Sequence, residues 1–220
     1  MITPVTPGHG AWHAADVVAP AQDLAEAGRL LDAIDLVDRN GDGIREDAGG
    51  REARIALLTQ RGNTIRERTA AIIQDDLRRI GIAVDVVPLE AGALIGKIGS
   101  GDYDAVLFGL QASSADPAVN LDYWLPSGPF HLWNPAQPAP ATPWEARLAS
   151  LMDPVAHSAD QQERVRAFHE VQRLFAAELP AIHFAAPRVV VATSARLTGV
   201  KPASLIPHIL WNPEALGIAR

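Results

Sequence analysis

The sequence predicts an α/β fold built of a mixed sheet with flanking helices and a βαβ core. Three short apolar segments bounded by turn residues, 54–59, 82–88 and 105–108, have the pattern of buried strands. A longer segment with the period of an amphipathic helix separates the first two, and a shorter helical segment separates the last two. Short connections between strand, helix and strand are typical of parallel βαβ units.

Residues 1–20 contain three prolines and two glycines, which predict an extended lead-in or linker. The first helix is expected at 21–37, where apolar residues recur at helical spacing. A turn-rich segment at 38–43 ends this helix, and the first strand follows at 54–59.

Asn63 is positioned to cap the second helix, which is expected at 64–80 and to end at Gly81. Its apolar residues lie on one face, and charged residues such as Arg66 and Arg68 lie largely on the other, where solvent is the ordinary environment. A short helix at 91–98 then leads to the third strand.

The second half is less regular. Helices are expected at 120–125, 143–152 and 159–178, with an ordered loop rich in proline and aromatic residues at 127–143. The segments 182–185 and 189–193 are apolar and are predicted to form a closing pair of strands.

Composition excludes several function classes. The formal net charge of −7 argues against nucleic acid as a partner, because proteins that bind nucleic acid usually present a basic face. The chain has no cysteine and therefore no disulfide or thiolate chemistry. No apolar run approaches the roughly 20 residues of a membrane span. The first residues do not resemble a signal peptide, so we expect a cytoplasmic protein or a piece of a longer precursor.

The third strand opens directly into small polar residues, Gln111 to Ser114, followed by Asp116 and Pro117. Ligands of open α/β sheets bind at the carboxyl ends of strands. We find no phosphate loop, cofactor motif or nucleophile motif there, so the sequence favours binding of a small molecule without catalysis and without a cofactor. The enzymatic alternative is a hydrolase that uses Ser113.

Aromatic residues cluster in the segment after this loop: Tyr123, Trp124, Phe130, Trp133 and Trp144. Aromatic side chains on loops near a strand end can form the wall of a pocket. They can equally seal the core beneath a long loop, and the sequence leaves both interpretations open, with Trp144 favouring the core because it begins a helix.

The turn with Asp38, Asn40 and Asp42, followed by Gly43, has the spacing of the first half of a calcium loop. The closing glutamate expected at the twelfth position is Gly49 here, so the sequence favours a polar turn without a metal. None of the seven histidines forms a pair with the spacing of helical metal ligands. We expect His183 to be a satisfied core residue.

Several motifs in order resemble one family, the extracellular solute-binding proteins of family 5, which serve as dipeptide, oligopeptide and nickel receptors of ABC importers. The motifs are Pro7-Gly8 with Trp12, the segment 38–47, the helix 68–81, Gly101 to Ala105, Asp116-Pro117, Asn134-Pro135 and 179–182. The resemblance covers nearly the whole chain.

The resemblance implies that residues 21–220 are the carboxyl-terminal lobe of a two-lobed periplasmic-binding-protein-like (type II) fold, whose amino-terminal lobe is absent here. It implies capture of an oligopeptide or similar small solute by hinge closure and delivery to an ABC permease in the membrane. It also implies a periplasmic or extracellular location, either lipid-anchored or soluble. The nickel branch keeps a second alternative open, a receptor for nickel or another metal complex.

In peptide receptors of this family the pocket strand ends in Gly-Trp-x-x-Asp, whose aspartate binds the peptide amine. The matching residues here are Gly109, Leu110, Gln111 and Ser113. A serine hydroxyl cannot replace the charge-assisted bond from carboxylate to ammonium. The resemblance therefore implies that the ligand lacks a free amine or is anchored elsewhere, with Asp116 as the nearest candidate. Tyr123, Trp124 and Trp133 are expected to line the wall.

Overall fold

The computed structural model of the chain describes residues 2–110, 116–135, 137–186, 188, 190–203 and 207–219. The chain forms two compact units. We call residues 20–109 the α/β unit and residues 1–19 with 110–220 the helical unit. Each unit contains a hydrophobic core cluster of its own.

The α/β unit contains a three-stranded parallel sheet with the strand order β2-β1-β3. Its elements are α1 (Leu24–Ala33), β1 (Arg54–Gln60), α2 (Thr64–Arg78), β2 (Ala83–Leu89), α3 (Ala91–Ser100) and β3 (Ala105–Val106). Strand β1 pairs along its whole length with β2, and Leu57 lies opposite Ala105 of β3. The α/β class and the parallel βαβ core are therefore confirmed.

Local chemistry sets the ends of α2. The Asn63 side chain accepts a hydrogen bond from the Arg66 backbone N–H at 3.1 Å, which confirms the predicted N-cap. Gly81 has a φ of +83°, a conformation that glycine adopts without strain, and the chain then enters β2. Ala70 of α2 is fully buried and packs with Leu57 and Val84 of the sheet.

The first helix is shorter than predicted. The Asp23 side chain accepts a hydrogen bond from Glu26 N–H, so α1 begins at Leu24 and not at residue 21. It ends at Ala33 because Asp35 takes a left-handed φ of +63°, which an α-helix cannot contain. The hydrophobic period continued past this point and gave no sign of the break.

The helical unit packs two long helices against short elements. It contains α4 (Leu121–Trp124), α5 (Pro143–His157), α6 (Gln161–Glu178), the antiparallel pair β4 (Leu197–Thr198) and β5 (Gly217–Ile218), and 3₁₀ helices at Pro7–Trp12, Pro117–Asn120 and Pro213–Ala215. Helix α5 continues past its predicted end at Met152 in spite of Pro154. Val155 in that extra turn is fully buried, and its packing outweighs the local cost of the proline.

The predicted extended lead-in was wrong in conformation, because Pro7–Trp12 forms a 3₁₀ helix. Trp12 is buried edge-to-face on Phe168 of α6, with ring centres 5.9 Å apart. Gln172 of α6 donates to Trp12 O at 2.7 Å and accepts from Ala14 N–H at 3.2 Å. Proline and glycine dominated the prediction, whereas Trp12 supplies the burial that fixes this segment to α6.

The predicted closing strands were also wrong within the described residues. Residues 182–185, 188 and 190–193 are in no strand, whereas 187 and 189 lie outside the described residues. Ile182 and Val190 are largely exposed. An apolar segment forms a strand only beside a partner, and these residues have no ladder partner in the described part of the chain. No helix in that part is long and apolar enough to cross a bilayer.

Candidate functional site

The carboxyl ends of β1 and β3 lie side by side at one edge of the parallel sheet of the α/β unit. Strand β1 ends at Gln60. Beyond β3, Leu107 N–H still donates to Leu58 O at 2.8 Å, and the chain then leaves the sheet at Phe108 and Gly109, which are exposed. This is the edge at which open α/β proteins bind ligands, and it is the edge that the sequence predicted.

Arg66 places its guanidinium at this edge from the first turn of α2. Nη1 donates to Gln60 Oε1 at 2.8 Å, and the guanidinium carbon lies 5.6 Å from the centre of the Phe108 ring. A methyl group at Gly109 would lie 2.8 Å from Arg66 Nη2, so the missing side chain at 109 leaves room for the guanidinium. Among the described residues, no carboxylate lies within 4 Å of the Arg66 nitrogens.

Sequence reasoning missed Arg66, because the helical period assigned it to the solvated face of α2. The hydrophobic period predicts which side chains face the sheet in the middle of a helix. It does not describe the first turn, whose side chains reach the end of the preceding strand. An arginine six residues after the last residue of a buried strand was the available signal.

The predicted binding residues at the strand end are only partly described. Gly109 is exposed beside Arg66, and Leu110 is 46% exposed. Gln111 and Ser113 lie outside the described residues, so their predicted contacts, and the hydrolase alternative based on Ser113, stay predictions.

Asp116 is engaged in an ion pair within the helical unit. Arg164 Nη2 lies 2.9 Å from both carboxylate oxygens of Asp116. The same guanidinium donates through Nε to Val155 O and stacks over the Trp12 ring at 5.2 Å. This pairing supports a structural role for Asp116, and its use as an anchor for a ligand amine stays a prediction.

Trp124 and Tyr123 of α4 are buried in the core of the helical unit, 2% and 9% exposed. The Trp124 ring meets Phe168 and Phe175 of α6 edge-to-face, with centres 5.4 and 5.5 Å apart. Tyr123 packs edge-to-face on Trp133, at 5.3 Å. For Trp124 this burial favours the core interpretation over the pocket wall.

The polar tips of this aromatic cluster differ in their partners. Tyr123 Oη lies 3.1 Å from His183 Nε2, and burial raises the pKa of Tyr123 and lowers the pKa of His183. The two shifts favour the neutral forms of both side chains. The hydrogen bond between them agrees with the prediction that His183 is satisfied, although His183 lies outside any strand. Trp133 Nε1 is buried and has no acceptor among the described residues. The predicted contact of Trp133 with a ligand stays a prediction.

A buried polar network underlies the aromatic cluster. Glu145 Oε1 accepts from Gln137 at 2.8 Å and lies 3.3 Å from His131 Nε2, while Oε2 accepts from the N–H groups of Ala141 and Thr142 at 2.9 Å. Burial alone raises the pKa of Glu145, but these hydrogen bonds outweigh it and lower the pKa from 4.5 to about 2. His131 also contacts Tyr123 O through Nδ1, so both ring nitrogens face acceptors. The network is structural.

The turn at 38–43 has the hydrogen bonds of a polar turn, as predicted. Asp38 accepts from Gly41 and Gly43 N–H, and Asp42 N–H donates to Asn40 Oδ1. The structure adds one residue that the sequence interpretation did not include. A carboxylate oxygen of Glu46 lies within 4.8 Å of those of Asp38 and Asp42, the one group of three potential metal-binding side chains found in the described residues.

Residues 1–131 match the sequence model of a protein family described as bacterial extracellular solute-binding proteins, family 5, middle. The chain belongs to this family. The resemblance noted in the sequence is thereby confirmed. Family 5 proteins are receptors for solutes, and the strand-end edge described above lies within the matched residues.

Three relatives illustrate the similarity. The oligopeptide-binding protein AppA of Bacillus subtilis is 26% identical over 184 residues, and the match covers 82% of this chain and 31% of AppA. The structure of AppA with a nonapeptide has a TM-score of 0.70 and 21% identity over 100% of this chain and 43% of AppA. The structure of MelB of Agrobacterium fabrum with stachyose has a TM-score of 0.67 and 23% identity, and the match covers 73% of this chain and 25% of MelB. The structure of NikA of Brucella suis with Fe(III)-EDTA has a TM-score of 0.63 and 24% identity, and the match covers 76% of this chain and 33% of NikA.

These similarities confirm the predicted periplasmic-binding-protein-like fold. This family 5 chain spans about a third of the length of the curated relatives that it matches. The similar structures carry a peptide, an oligosaccharide and a metal chelate, so the fold alone does not choose the ligand.

Proposed function

We propose that the chain is part of the substrate-binding component of an ABC importer and captures a small solute that carries a carboxylate, of which an oligopeptide is the favoured example. Membership of family 5 supports the receptor function. The position of Arg66 supports the ligand class, because its guanidinium lies at the strand-end edge without a carboxylate partner among the described residues.

Arg66 would bind a carboxylate of the solute, and Gly109 would let the solute approach the backbone. A guanidinium presents parallel N–H donors that match a carboxylate, and such charge-assisted bonds are among the strongest in proteins. Gln60 already accepts one bond from Nη1, which holds the guanidinium in place before the ligand arrives. A neutral sugar would not use this charge.

The capture step is hinge closure. Solute contacts on this lobe and on an amino-terminal lobe would favour the closed form, which the permease recognises. The domain assignment of residues 21–220 to a carboxyl-terminal lobe, the periplasmic or extracellular location and a lipid anchor are parts of the same proposal.

The family of receptors also supports a non-enzymatic role. The hydrolase and metal-complex alternatives have no specific support among the described residues at the strand end.

Mass spectrometry of the full-length receptor tests this function. Protein purified without denaturation should carry a solute with at least one carboxylate, which denaturation releases intact and without a covalent trace. The released solute should rebind to the stripped receptor and remain unchanged after prolonged incubation. A covalent adduct or conversion of the solute would contradict the receptor function, and a neutral solute would contradict the role given to Arg66.

A further inference from the structure

The loop between α1 and β1 gathers three carboxylates that face one another. Asp38 and Asp42 are exposed, and Glu46 is only 4% exposed. The loop returns on itself because Val37 and Glu46 form an antiparallel bridge with two backbone hydrogen bonds of 2.9 and 3.1 Å. This bridge brings Glu46 back toward the turn that Asp38 opens.

Glu46 carries a buried oxygen without a partner. Its Oε2 accepts from Arg39 N–H at 2.8 Å, but Oε1 is buried and has no hydrogen-bond partner among the described residues. An unpaired carboxylate oxygen in this environment is costly, because burial disfavours its charge. Since a carboxylate oxygen of Glu46 lies within 4.8 Å of those of Asp38 and Asp42, a ligand placed among the three would contact the carboxylate group that carries this unpaired oxygen.

No described basic side chain forms an ion pair with this cluster, although the Arg39 guanidinium donates a hydrogen bond to the backbone carbonyl of Glu46. Arg39 pairs with Asp35, and Arg45 pairs with Asp32, whereas none of the ion pairs among the described residues includes Asp38, Asp42 or Glu46. Three carboxylates without an ion-pair partner repel one another, and a cation bound among them would remove this repulsion.

We propose that Asp38, Asp42 and Glu46 bind a calcium ion, with Asn40 as a further oxygen ligand in the same turn. Calcium takes six to eight oxygen ligands at about 2.3–2.6 Å, so two of its ligands lie at most about 5 Å apart. The separation of the three carboxylates fits this limit. Magnesium is the less suitable ion for three carboxylates, because it dehydrates reluctantly and is usually bound through one or two carboxylates.

The site differs from a complete calcium loop, in which a glutamate at the twelfth position supplies the last ligand. Glu46 is the ninth residue counted from Asp38, and the Val37–Glu46 bridge replaces the second helix as the support for the last ligand. The loop is also fixed to the turn between α2 and β2, because Arg45 N–H donates to Gly81 O at 2.8 Å and Arg45 Nε donates to Ile80 O at 2.8 Å. Calcium would therefore stabilise the α/β unit at this loop.

Calorimetric titration and thermal unfolding of the full chain test the proposal, after removal of metals with EDTA. CaCl₂ up to about 10 mM, a range that includes the weak sites of extracellular modules, should give saturable binding and a higher melting temperature, with a smaller effect of MgCl₂. Glu46→Gln should weaken calcium binding about tenfold or more. Asp42→Asn, at an exposed position, provides a second variant that leaves the buried side chain intact.

The direction in which Glu46→Gln changes the stability in the absence of calcium distinguishes a metal ligand from a structural residue. In EDTA, Glu46→Gln should be as stable as the unsubstituted chain or more stable, because the amide keeps one acceptor for Arg39 N–H and offers a donor to the two aspartates. In calcium, it should be less stable. Asp75→Asn, an exposed residue outside the loop with the same change of charge, should bind calcium normally. No saturable binding of calcium, equal binding of magnesium, or normal binding by Glu46→Gln would overturn the proposal.

Discussion

Replacement of Trp124 by alanine should lower the free energy of unfolding of the helical unit by about 3–5 kcal/mol, the range for large aromatic residues removed from a core. The indole is 2% exposed and packs on two phenylalanines of α6, so the substitution leaves a cavity that the helices cannot fill. Urea denaturation followed by circular dichroism measures the change, and Trp124→Phe should lose much less.

Phe130→Ala is the matched control, because it removes an aromatic ring from the neighbouring loop at a side chain that is 58% exposed. It should change stability by less than about 1 kcal/mol. The comparison also decides between the two interpretations of the aromatic cluster. If Trp124→Ala leaves the free energy of unfolding unchanged but binds the solute more weakly, Trp124 forms a wall of the pocket and the core interpretation is wrong.

Replacement of Glu145 by alanine should cost the helical unit about 3 kcal/mol or more, because each of several buried donors left without its acceptor costs about 1–3 kcal/mol. It leaves donors from His131, Gln137 and the start of α5 unsatisfied inside the protein. Glu145→Gln should cost less, about 1–3 kcal/mol, since its amide nitrogen meets donors on either side. Glu214→Gln, on an exposed residue, should be nearly neutral, and an equally small effect of Glu145→Ala would contradict the network.

The same carboxylate gives stability a defined pH dependence. Its pKa is lowered from 4.5 to about 2 in the folded chain, so the unfolded state takes up the proton first as the pH falls. The stabilisation from Glu145 is complete above about pH 4.5 and is lost as the pH falls toward 2. The difference in unfolding free energy between the unsubstituted chain and Glu145→Gln should therefore shrink across this interval. A constant difference would show that the charge of Glu145 does not stabilise the folded state.

The regular elements of the α/β unit could be predicted because local and tertiary signals agree there. Asn63 caps α2 and Gly81 follows its end, and alternating apolar residues form the strands that pair in register. The predictions failed where tertiary packing decides. Trp12 holds a proline-rich segment against α6, and Val155 keeps α5 helical past a proline, and neither contact leaves a periodic pattern in the sequence.

The candidate site was predictable as a place but less so as a set of residues. The run at 105–108 located the strand end, and Gly109 followed from the resemblance to the family. Arg66 and Glu46 were missed because Arg66 lies in the first turn of a helix and Glu46 lies in a loop. In both places the direction of a side chain depends on the course of the backbone. Burial and pairing of their atoms, which composition does not reveal, identify them as residues of functional interest.

The affinity of the full-length receptor for its solute, with Arg66 replaced by methionine, tests the central claim most directly. A charge-assisted hydrogen bond contributes about 1.5–3 kcal/mol, so isothermal titration should show binding weakened about 10- to 100-fold with folding unchanged. Arg68→Met, which removes an exposed arginine from the same helix, should bind as before. If Arg66→Met binds the solute as tightly as the unsubstituted receptor, the strand-end edge does not hold the ligand through this guanidinium.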